Sequence, residues 1–210
     1  MKRVTKKECK TQKGFALKIL NYLQNKLSSK YNFNYRLVGS AVWNTIIRDK
    51  NGFFDLDYQI LLTKNSKEYK DNHLERATAI KEDFFNVISL YFKSDSTIKI
   101  ENSTTAITLI NKKEKFSIDF VIIKLFPENN QIIRRNNKKN STINEYTWNE
   151  LPKLNDAYKK FKELKSFDKQ NLIENYILPR KEKEKQKNDG DKTKKVILWN
   201  FCWRGEQLCC

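Results

Sequence analysis

Apolar and polar positions in the first part of the chain follow first a helical and then an extended pattern. Residues 10–27 place apolar side chains at near-helical spacing, which predicts an amphipathic helix. Residues 35–38 form a short extended segment that leads into Gly39-Ser40, and residues 41–47 are predicted to begin a second helix. A turn at residues 49–52 precedes the next strand. The predicted order is helix, strand, Gly-Ser, helix, turn, strand.

The middle of the chain carries the longest strand-like patterns. Residues 53–62 are strongly apolar apart from two acids and Gln59, and residues 67–92 return to helical spacing. Three further strands are predicted at residues 98–100, 106–110 and 116–125, with a polar turn between the last two. These strands predict an antiparallel meander.

The two acids within residues 53–62 are the first candidate chemistry. Asp55 and Asp57 are separated by one residue, so in an extended strand their side chains lie on the same face. Two neighbouring carboxylates either raise each other's pKa or are neutralised by a cation, and hard oxygen ligands suit Mg²⁺ or Mn²⁺. An Asp-x-Asp pair is also common on a solvated strand face. Here the flanking residues are those of a core strand, where an unneutralised pair is costly, and this favours a metal site.

A third acid occupies the last predicted strand. Asp119 is the only carboxylate in its run of strand-forming residues, and a buried charge there requires a partner. If this strand lies beside the one that carries Asp55 and Asp57, three carboxylates converge on one metal site. The preceding Gly39-Ser40 pair allows two interpretations, a phosphate-binding turn or a plain strand-to-helix turn with an N-cap serine.

The ordered set of these residues resembles a known superfamily. Gly39-Ser40, then Asp55-Leu56-Asp57, then a single Asp119 on a later strand is similar to the pattern of the polymerase-beta-like nucleotidyltransferases. That superfamily includes poly(A) and CCA-adding polymerases, cyclic dinucleotide synthases and small nucleotidyltransferase toxins. The resemblance covers residues 10–125. It implies an α/β (α+β) nucleotidyltransferase fold with a twisted mixed sheet, an N-terminal helix and a small C-terminal helical portion.

The same resemblance implies a reaction and roles for the motif residues. Asp55 and Asp57 would hold two Mg²⁺ or Mn²⁺ ions, and Asp119 would complete the site that activates an acceptor hydroxyl. Gly39 and Ser40 would bind the phosphates of an NTP such as ATP. The implied reaction transfers a nucleoside monophosphate from the NTP to a hydroxyl of a nucleotide, RNA or tRNA and releases pyrophosphate.

Similar enzymes also use a lysine and a stacking aromatic from a helix that follows the catalytic sheet. By that resemblance the candidates are Tyr158 and Lys162, on a segment at residues 154–164 whose apolar residues have helical spacing.

Composition and charge narrow the choice of partner. The 210 residues suffice for one substantial core, and 42 Lys and Arg against 25 Asp and Glu give a formal net charge of +17. Such a charge attracts nucleic acid, nucleotides or anionic lipid head groups, and it disfavours a cationic antibiotic as the acceptor. Many of the lysines, however, are spread singly among Asn and Ile residues. A general bias in amino-acid usage explains such lysines as well as a binding function does. The basic residues 134–140 are either an acceptor-binding strip or a solvated connection.

The lengths of the apolar runs and the positions of the cysteines indicate the cellular compartment of the protein. No apolar run in the sequence approaches the roughly 20 residues of a membrane span, so we expect no membrane segment and a cytoplasmic protein. Cys9 stands alone, and Cys202, Cys209 and Cys210 lack Cys-x-x-Cys spacing. Since His73 is the only histidine, the sequence argues against a structural zinc site and against a histidine base.

The chain divides by composition into three predicted parts. Residues 1–127 form the catalytic domain, residues 128–180 a helical C-terminal portion, and residues 181–210 a flexible basic linker or frayed helix followed by an apolar tail. A second class of function stays open, that of a non-catalytic nucleic-acid- or partner-binding module whose acids bind a structural cation. The intact set of three carboxylates favours the enzyme.

Overall fold

A computed structural model describes residues 2–65, 76–125, 130–135, 145–151 and 156–188 of the chain. Within these segments the elements are, in chain order, α1 (Lys6–Leu27), β1 (Tyr31–Val38), a 3₁₀ turn (Gly39–Ala41), β2 (Phe54–Asn65), α2 (Ala77–Tyr91), β3 (Ile98–Asn102), β4 (Ala106–Asn111), β5 (Phe116–Lys124), β6 (Gln131–Arg135), β7 (Tyr146–Glu150), α3 (Asp156–Glu163), α4 (Ser166–Leu172), a π-helical turn (Ile173–Ile177) and α5 (Leu178–Asn188). None of the helices described is long and apolar enough to cross a membrane.

The N-terminal helix is confirmed, but α1 begins four residues earlier than its apolar pattern indicates. Thr5 is the N-cap, because its side chain accepts a hydrogen bond from the Glu8 amide at 3.2 Å and the Glu8 carboxylate accepts one from the Thr5 amide at 2.7 Å. These two bonds, together with a hydrogen bond from Arg48, lower the pKa of Glu8 to about 2. The capping box therefore sets the start of α1.

The described strands form one mixed sheet. Its neighbours are β1, β2, β5, β4 and β3 in that order, with β6 paired to the end of β5 and β7 paired to β6. β2 and β5 are parallel, and the other pairs are antiparallel. The predicted α+β class with a mixed sheet is confirmed, and so is the antiparallel meander of β3, β4 and β5.

Two helices cover one face of this sheet. The apolar residues of α1 and α2 pack into a single core with alternate residues of β2, β4 and β5, and the largest fully buried side chains of this core include Leu20, Leu23, Phe54, Leu56, Ile60, Ile80, Phe84, Phe116 and Phe120. Because successive strand residues point to opposite faces, the residues between them face away from α1 and α2. Asp55, Asp57 and Asp119 are among those residues.

The helix predicted at residues 41–47 is wrong. After the 3₁₀ turn, Asn44 adopts a left-handed conformation with φ of 57°, which a continuing helix does not allow. The chain then pairs with the N-terminal segment, because the Val4 amide donates to the Ile46 carbonyl at 3.0 Å and the Arg48 amide to the Lys2 carbonyl at 2.9 Å. Tertiary pairing with an extended segment replaces helical hydrogen bonds here.

The C-terminal portion differs from its prediction in one place. β6 and β7 lie within residues 128–180, which were predicted to be helical, and they extend the sheet beyond β5. Residues 181–188 belong to α5, which agrees with the helical alternative for that stretch. Most of the predicted basic loop, all residues from 189 onward including the apolar tail at 196–210, His73 and three of the four cysteines lie outside the described residues. The fourth, Cys9, is a buried free thiol.

Candidate active site

The register of β2 against β5 places the three predicted carboxylates together on one face. Asp57 is directly opposite Asp119, and Asp55 is opposite Ser117. The pairing of these two strands, on which the predicted convergence depended, is therefore present. All three carboxylates are half-buried. They occupy adjacent positions on two neighbouring strands, although 62 residues separate Asp57 from Asp119 in the sequence.

Hydroxyl groups on the neighbouring strands orient two of these carboxylates. The Thr108 hydroxyl on β4 donates to Asp119 Oδ1 at 2.6 Å. The Ser117 hydroxyl on β5 donates to Asp55 Oδ1. Each hydrogen bond runs across the sheet between two residues that are in register on adjacent strands. Neither hydroxyl was singled out in the sequence, because a Thr or Ser on a strand is common and only the strand pairing gives it this partner.

The glycine of the Gly-Ser pair is in contact with the middle carboxylate. Gly39 has a φ of 67°, a left-handed conformation that side chains other than that of glycine rarely adopt. A Cβ at this position would lie 2.5 Å from Asp57 Oδ2, closer than real Cβ contacts come. The site therefore requires glycine twice, once for its backbone conformation and once for the absence of a side chain.

A lysine from the C-terminal helix α5 reaches the serine of the pair. Lys181 Nζ donates to Ser40 Oγ at 2.5 Å and to Thr45 Oγ1 and the Thr45 carbonyl at 3.2 and 3.3 Å. Lys181 is only 6% exposed. The loop that it contacts is closed by a 2.9 Å hydrogen bond from the Thr45 amide to the Ser40 carbonyl. Sequence reasoning missed Lys181, because it is one of many lysines in a charged run and nothing local distinguishes it.

Two residues of the C-terminal portion are predicted to bind nucleotide, and the structure describes the side chain of only one of them. Lys162 is exposed on α3. The side chain of Tyr158 lies outside the description. α3 itself packs beside the Gly-Ser loop, because the rings of Phe161 and Trp43 meet edge to face with their centroids 4.9 Å apart. Tyr158 and Lys162 therefore stay predictions on a helix that is close to the site.

The donor set is suited to a hard divalent cation. Among the residues described, no group of three or more His, Cys, Asp and Glu side chains is arranged to hold a metal ion by itself. Mg²⁺ commonly binds through one or two carboxylates and completes its shell with water and substrate phosphates. Asp57 and Asp119 on adjacent strands supply such a pair, and the Gly39 backbone lies against Asp57. The residues therefore fit Mg²⁺ or Mn²⁺ that binds together with a phosphate-bearing substrate.

A buried amine lies within electrostatic range of this site. Lys81 on α2 is fully buried, and its Nζ lies 3.4 Å from the Ser103 carbonyl and 4.9 Å from the centroid of the Tyr146 ring. Burial lowers the pKa of Lys81 to about 7, with the positive charge of Arg135 acting in the same direction and the charge of Asp119 opposing it. The sequence offers no sign of this residue, because a lysine at a helical position is normally exposed.

Comparisons with known proteins find similarity at the level of structure. No family model matches the chain, and no curated protein matches it. Solved structures do match. The CD-NTase CdnG of Bradyrhizobium diazoefficiens in complex with GTP gives a TM-score of 0.48 at 14% identity, over 69% of this chain and 38% of that one.

Two further solved structures show the same range of similarity. Escherichia coli DncV bound to 3'-deoxy GTP gives a TM-score of 0.43 at 15% identity, over 57% of this chain and 32% of that one. The Vibrio cholerae DncV cyclic AMP-GMP synthase in complex with the linear intermediate pppA(3',5')pG gives 0.42 at 15% identity, over 63% and 33%. The chain thus spans about a third of the length of these structures. Similarity at this level carries no conclusion about the activity of this chain.

Proposed function

We propose that the chain is a metal-dependent nucleotidyltransferase that moves a nucleoside monophosphate from an NTP to an acceptor hydroxyl on a nucleotide, RNA or tRNA. The observation that carries the proposal is the register of β2 and β5, which sets Asp57 directly beside Asp119 with the Gly39 backbone against Asp57. A pair of carboxylates beside a glycine turn provides a cation site next to a backbone that a phosphate chain can approach closely.

The triphosphate would bind at the Gly-Ser turn. The Gly39 backbone lies against Asp57, and the Ser40 hydroxyl lies beside the buried ammonium of Lys181. A hydroxyl and a buried cation side by side are suitable donors to phosphate oxygens. Asp55, Asp57 and Asp119 are proposed to hold Mg²⁺ or Mn²⁺, which when bound would neutralise the charge that develops on the departing pyrophosphate.

The bonds and the proton of the proposed transfer can each be followed through these groups. The acceptor oxygen forms a bond to the α-phosphorus, and the bond from that phosphorus to the oxygen bridging the α and β phosphates breaks. Pyrophosphate leaves with that electron pair. The hydroxyl proton passes towards Asp119, whose orientation the Thr108 hydroxyl maintains.

The test is turnover with each labelled NTP in the presence of Mg²⁺, with and without added RNA, followed by release of pyrophosphate. Asp57→Asn keeps the shape of the side chain and removes its charge, so we expect it to lower turnover by about 100-fold or more, because removing even an indirect partner of a metal costs 10- to 100-fold. Asp95→Asn is the matched control, since Asp95 is an exposed turn residue whose side chain accepts hydrogen bonds from Thr97.

Thermal unfolding of both variants checks that the fold is intact. Absence of turnover with all four NTPs, or equal turnover by the wild type and Asp57→Asn, would overturn the proposal. Binding of NTP and Mg²⁺ without turnover would instead identify a non-catalytic module of the kind that the sequence left open.

A further inference from the structure

A buried glutamine holds an exposed arginine next to the candidate site. Gln59 lies in the middle of β2 and is only 1% exposed, although its neighbours in sequence, Tyr58 and Ile60, belong to the apolar core. Its Oε1 accepts a hydrogen bond at 2.7 Å from Nε of Arg36, the residue in register with it on β1. The buried amide thus fixes the base of the guanidinium.

The outer part of this guanidinium is available to a ligand. Arg36 is exposed, and its two terminal nitrogens make no hydrogen bond or ion pair with any other residue that the structure describes. A guanidinium whose Nε is held presents Nη1 and Nη2 as a planar fork, and such a fork matches two oxygens of a phosphate or carboxylate. Since one end is already fixed, less side-chain freedom is lost on binding.

The position of Arg36 along the strands indicates which substrate it faces. Val38 is in register with Asp57 and Arg36 with Gln59, so Arg36 lies two residues to one side of Asp57 and the Gly39-Ser40 turn begins on the other side. Two strand residues span about 7 Å. In an in-line displacement at phosphorus, the attacking and leaving oxygens lie on opposite sides of the reacting centre. If the leaving pyrophosphate occupies the Gly-Ser side, the acceptor approaches from the side of Arg36.

We propose that Arg36, held by Gln59, forms an anion subsite on the acceptor side of the carboxylates and binds a phosphate group of the acceptor. The inference rests on the proposed function and deepens it. It assigns a phosphate-bearing acceptor, a nucleotide or an oligonucleotide, in preference to a hydroxyl of a protein. It also gives a reason for a buried glutamine in an otherwise apolar stretch of β2.

Direct binding tests the subsite without turnover. Isothermal titration in Mg²⁺ compares the dinucleotide ApA with its 5'-phosphorylated form, in the wild type and in Arg36→Gln. We expect the wild type to bind the phosphorylated form about tenfold more tightly, and Arg36→Gln to bind both forms equally, since a hydrogen bond to a charged group contributes about this much. A 2'-deoxy trinucleotide without a terminal phosphate separates recognition of the backbone diester from recognition of the terminal group.

Three further variants test whether the preference for the phosphorylated dinucleotide depends on the guanidinium of Arg36 and on its anchor. Arg36→Lys keeps the charge without the fork, so we expect it to retain only part of the preference. Gln59→Leu keeps the buried apolar volume and removes the anchor, so the preference falls although Arg36 is present. Arg76→Gln removes an exposed arginine before α2 and leaves the preference as in the wild type.

The outcomes separate this inference from the proposed function. A phosphate preference that depends on Arg36 in a protein without turnover would support the subsite and overturn the proposed function. Turnover by Arg36→Gln with the wild-type KM and the wild-type preference for the phosphorylated acceptor would overturn the subsite and leave the function in place. Transfer to protein hydroxyls without any phosphate preference would also overturn the subsite.

Discussion

At the scale of single residues, the candidate site depends on groups that have no alternative in their positions. Gly39 is required by its φ of 67° and by the 2.5 Å that a Cβ would leave to Asp57 Oδ2. Thr108 and Ser117 are required because they orient Asp119 and Asp55. A sequence motif names the glycine and the acids, but it omits the hydroxyls that keep the acids in place.

Substitution of Gly39 tests this requirement. Gly39→Ala adds a methyl group that must displace Asp57, and we expect NTP turnover to fall at least tenfold, with a loss of stability of about 1–2 kcal/mol from the left-handed backbone. Gly52→Ala is the matched control, because Gly52 has a φ of 83° but a Cβ there meets only Lys115 at 3.6 Å. Similar losses of stability in the two variants, with turnover lost only in Gly39→Ala, are the expected result of assays beside thermal unfolding. Unchanged turnover in Gly39→Ala would contradict the contact with Asp57.

Lys81 makes a prediction about pH. The pKa of its buried amine is lowered from 10.5 to about 7. Below pH 7 the amine is charged in both the folded and unfolded states, and burial of that charge is a constant cost. Between pH 7 and 10.5 the folded state holds a neutral amine while the unfolded state still binds a proton, so stability rises with pH through this window.

Lys81→Met removes that titration. The wild type should gain up to about 4 kcal/mol relative to Lys81→Met between pH 6 and 10. Urea unfolding of both proteins at several pH values measures the difference. We expect the methionine variant to be the more stable at pH 6 and to lose this advantage at pH 10. Parallel stability curves for the two proteins would contradict a lowered pKa at this position.

At the scale of elements, strand pairing and helix docking assemble the site. β2 and β5 are parallel neighbours, and this arrangement alone brings Asp57 beside Asp119. α5 docks at the Gly-Ser loop through Lys181, and α3 docks beside it through Phe161 and Trp43. The C-terminal helices are therefore part of the site and not an appendage.

Two lysines of these helices compete for the role of triphosphate ligand. Sequence similarity favoured Lys162, whereas the contact with Ser40 is made by Lys181. We expect Lys181→Met to raise the KM for NTP about tenfold or more, because a charged hydrogen-bond donor to phosphate is lost. Lys183→Met removes an exposed lysine of the same helix and serves as the control. A raised KM in Lys162→Met with an unchanged KM in Lys181→Met would restore the prediction from sequence.

At the scale of the whole molecule, the two faces of the sheet differ, because one holds the main core and the other holds the candidate site. One face is covered by α1 and α2 and holds the main apolar core. The opposite face carries the three half-buried carboxylates, Gln59 and the exposed Arg36. The formal net charge of +17 favours approach of a polyanionic substrate to such a face, and raised ionic strength should weaken that approach.

The sequence by itself determined the elements that have strong local signals. The apolar periodicity of α1 and α2, the alternation in β2 and β5 and the meander of β3 to β5 all follow from side-chain patterns that repeat with the period of the element. The same alternation determined that Asp55 and Asp57 share a face. These features depend on near neighbours along the chain, which a sequence displays directly.

Only the tertiary structure decided the features that depend on distant partners. Residues 41–47 are not helical because the chain pairs with the segment around Val4, and β6 and β7 exist because β5 offers a free edge beyond the start of β4. Lys181 differs from the other lysines around it only in meeting Ser40, 141 residues earlier. A local pattern cannot specify such contacts, because their energy comes from groups brought together by folding. The shared face of Asp55 and Asp57 could be predicted from the chain, and the neighbours of these acids could not.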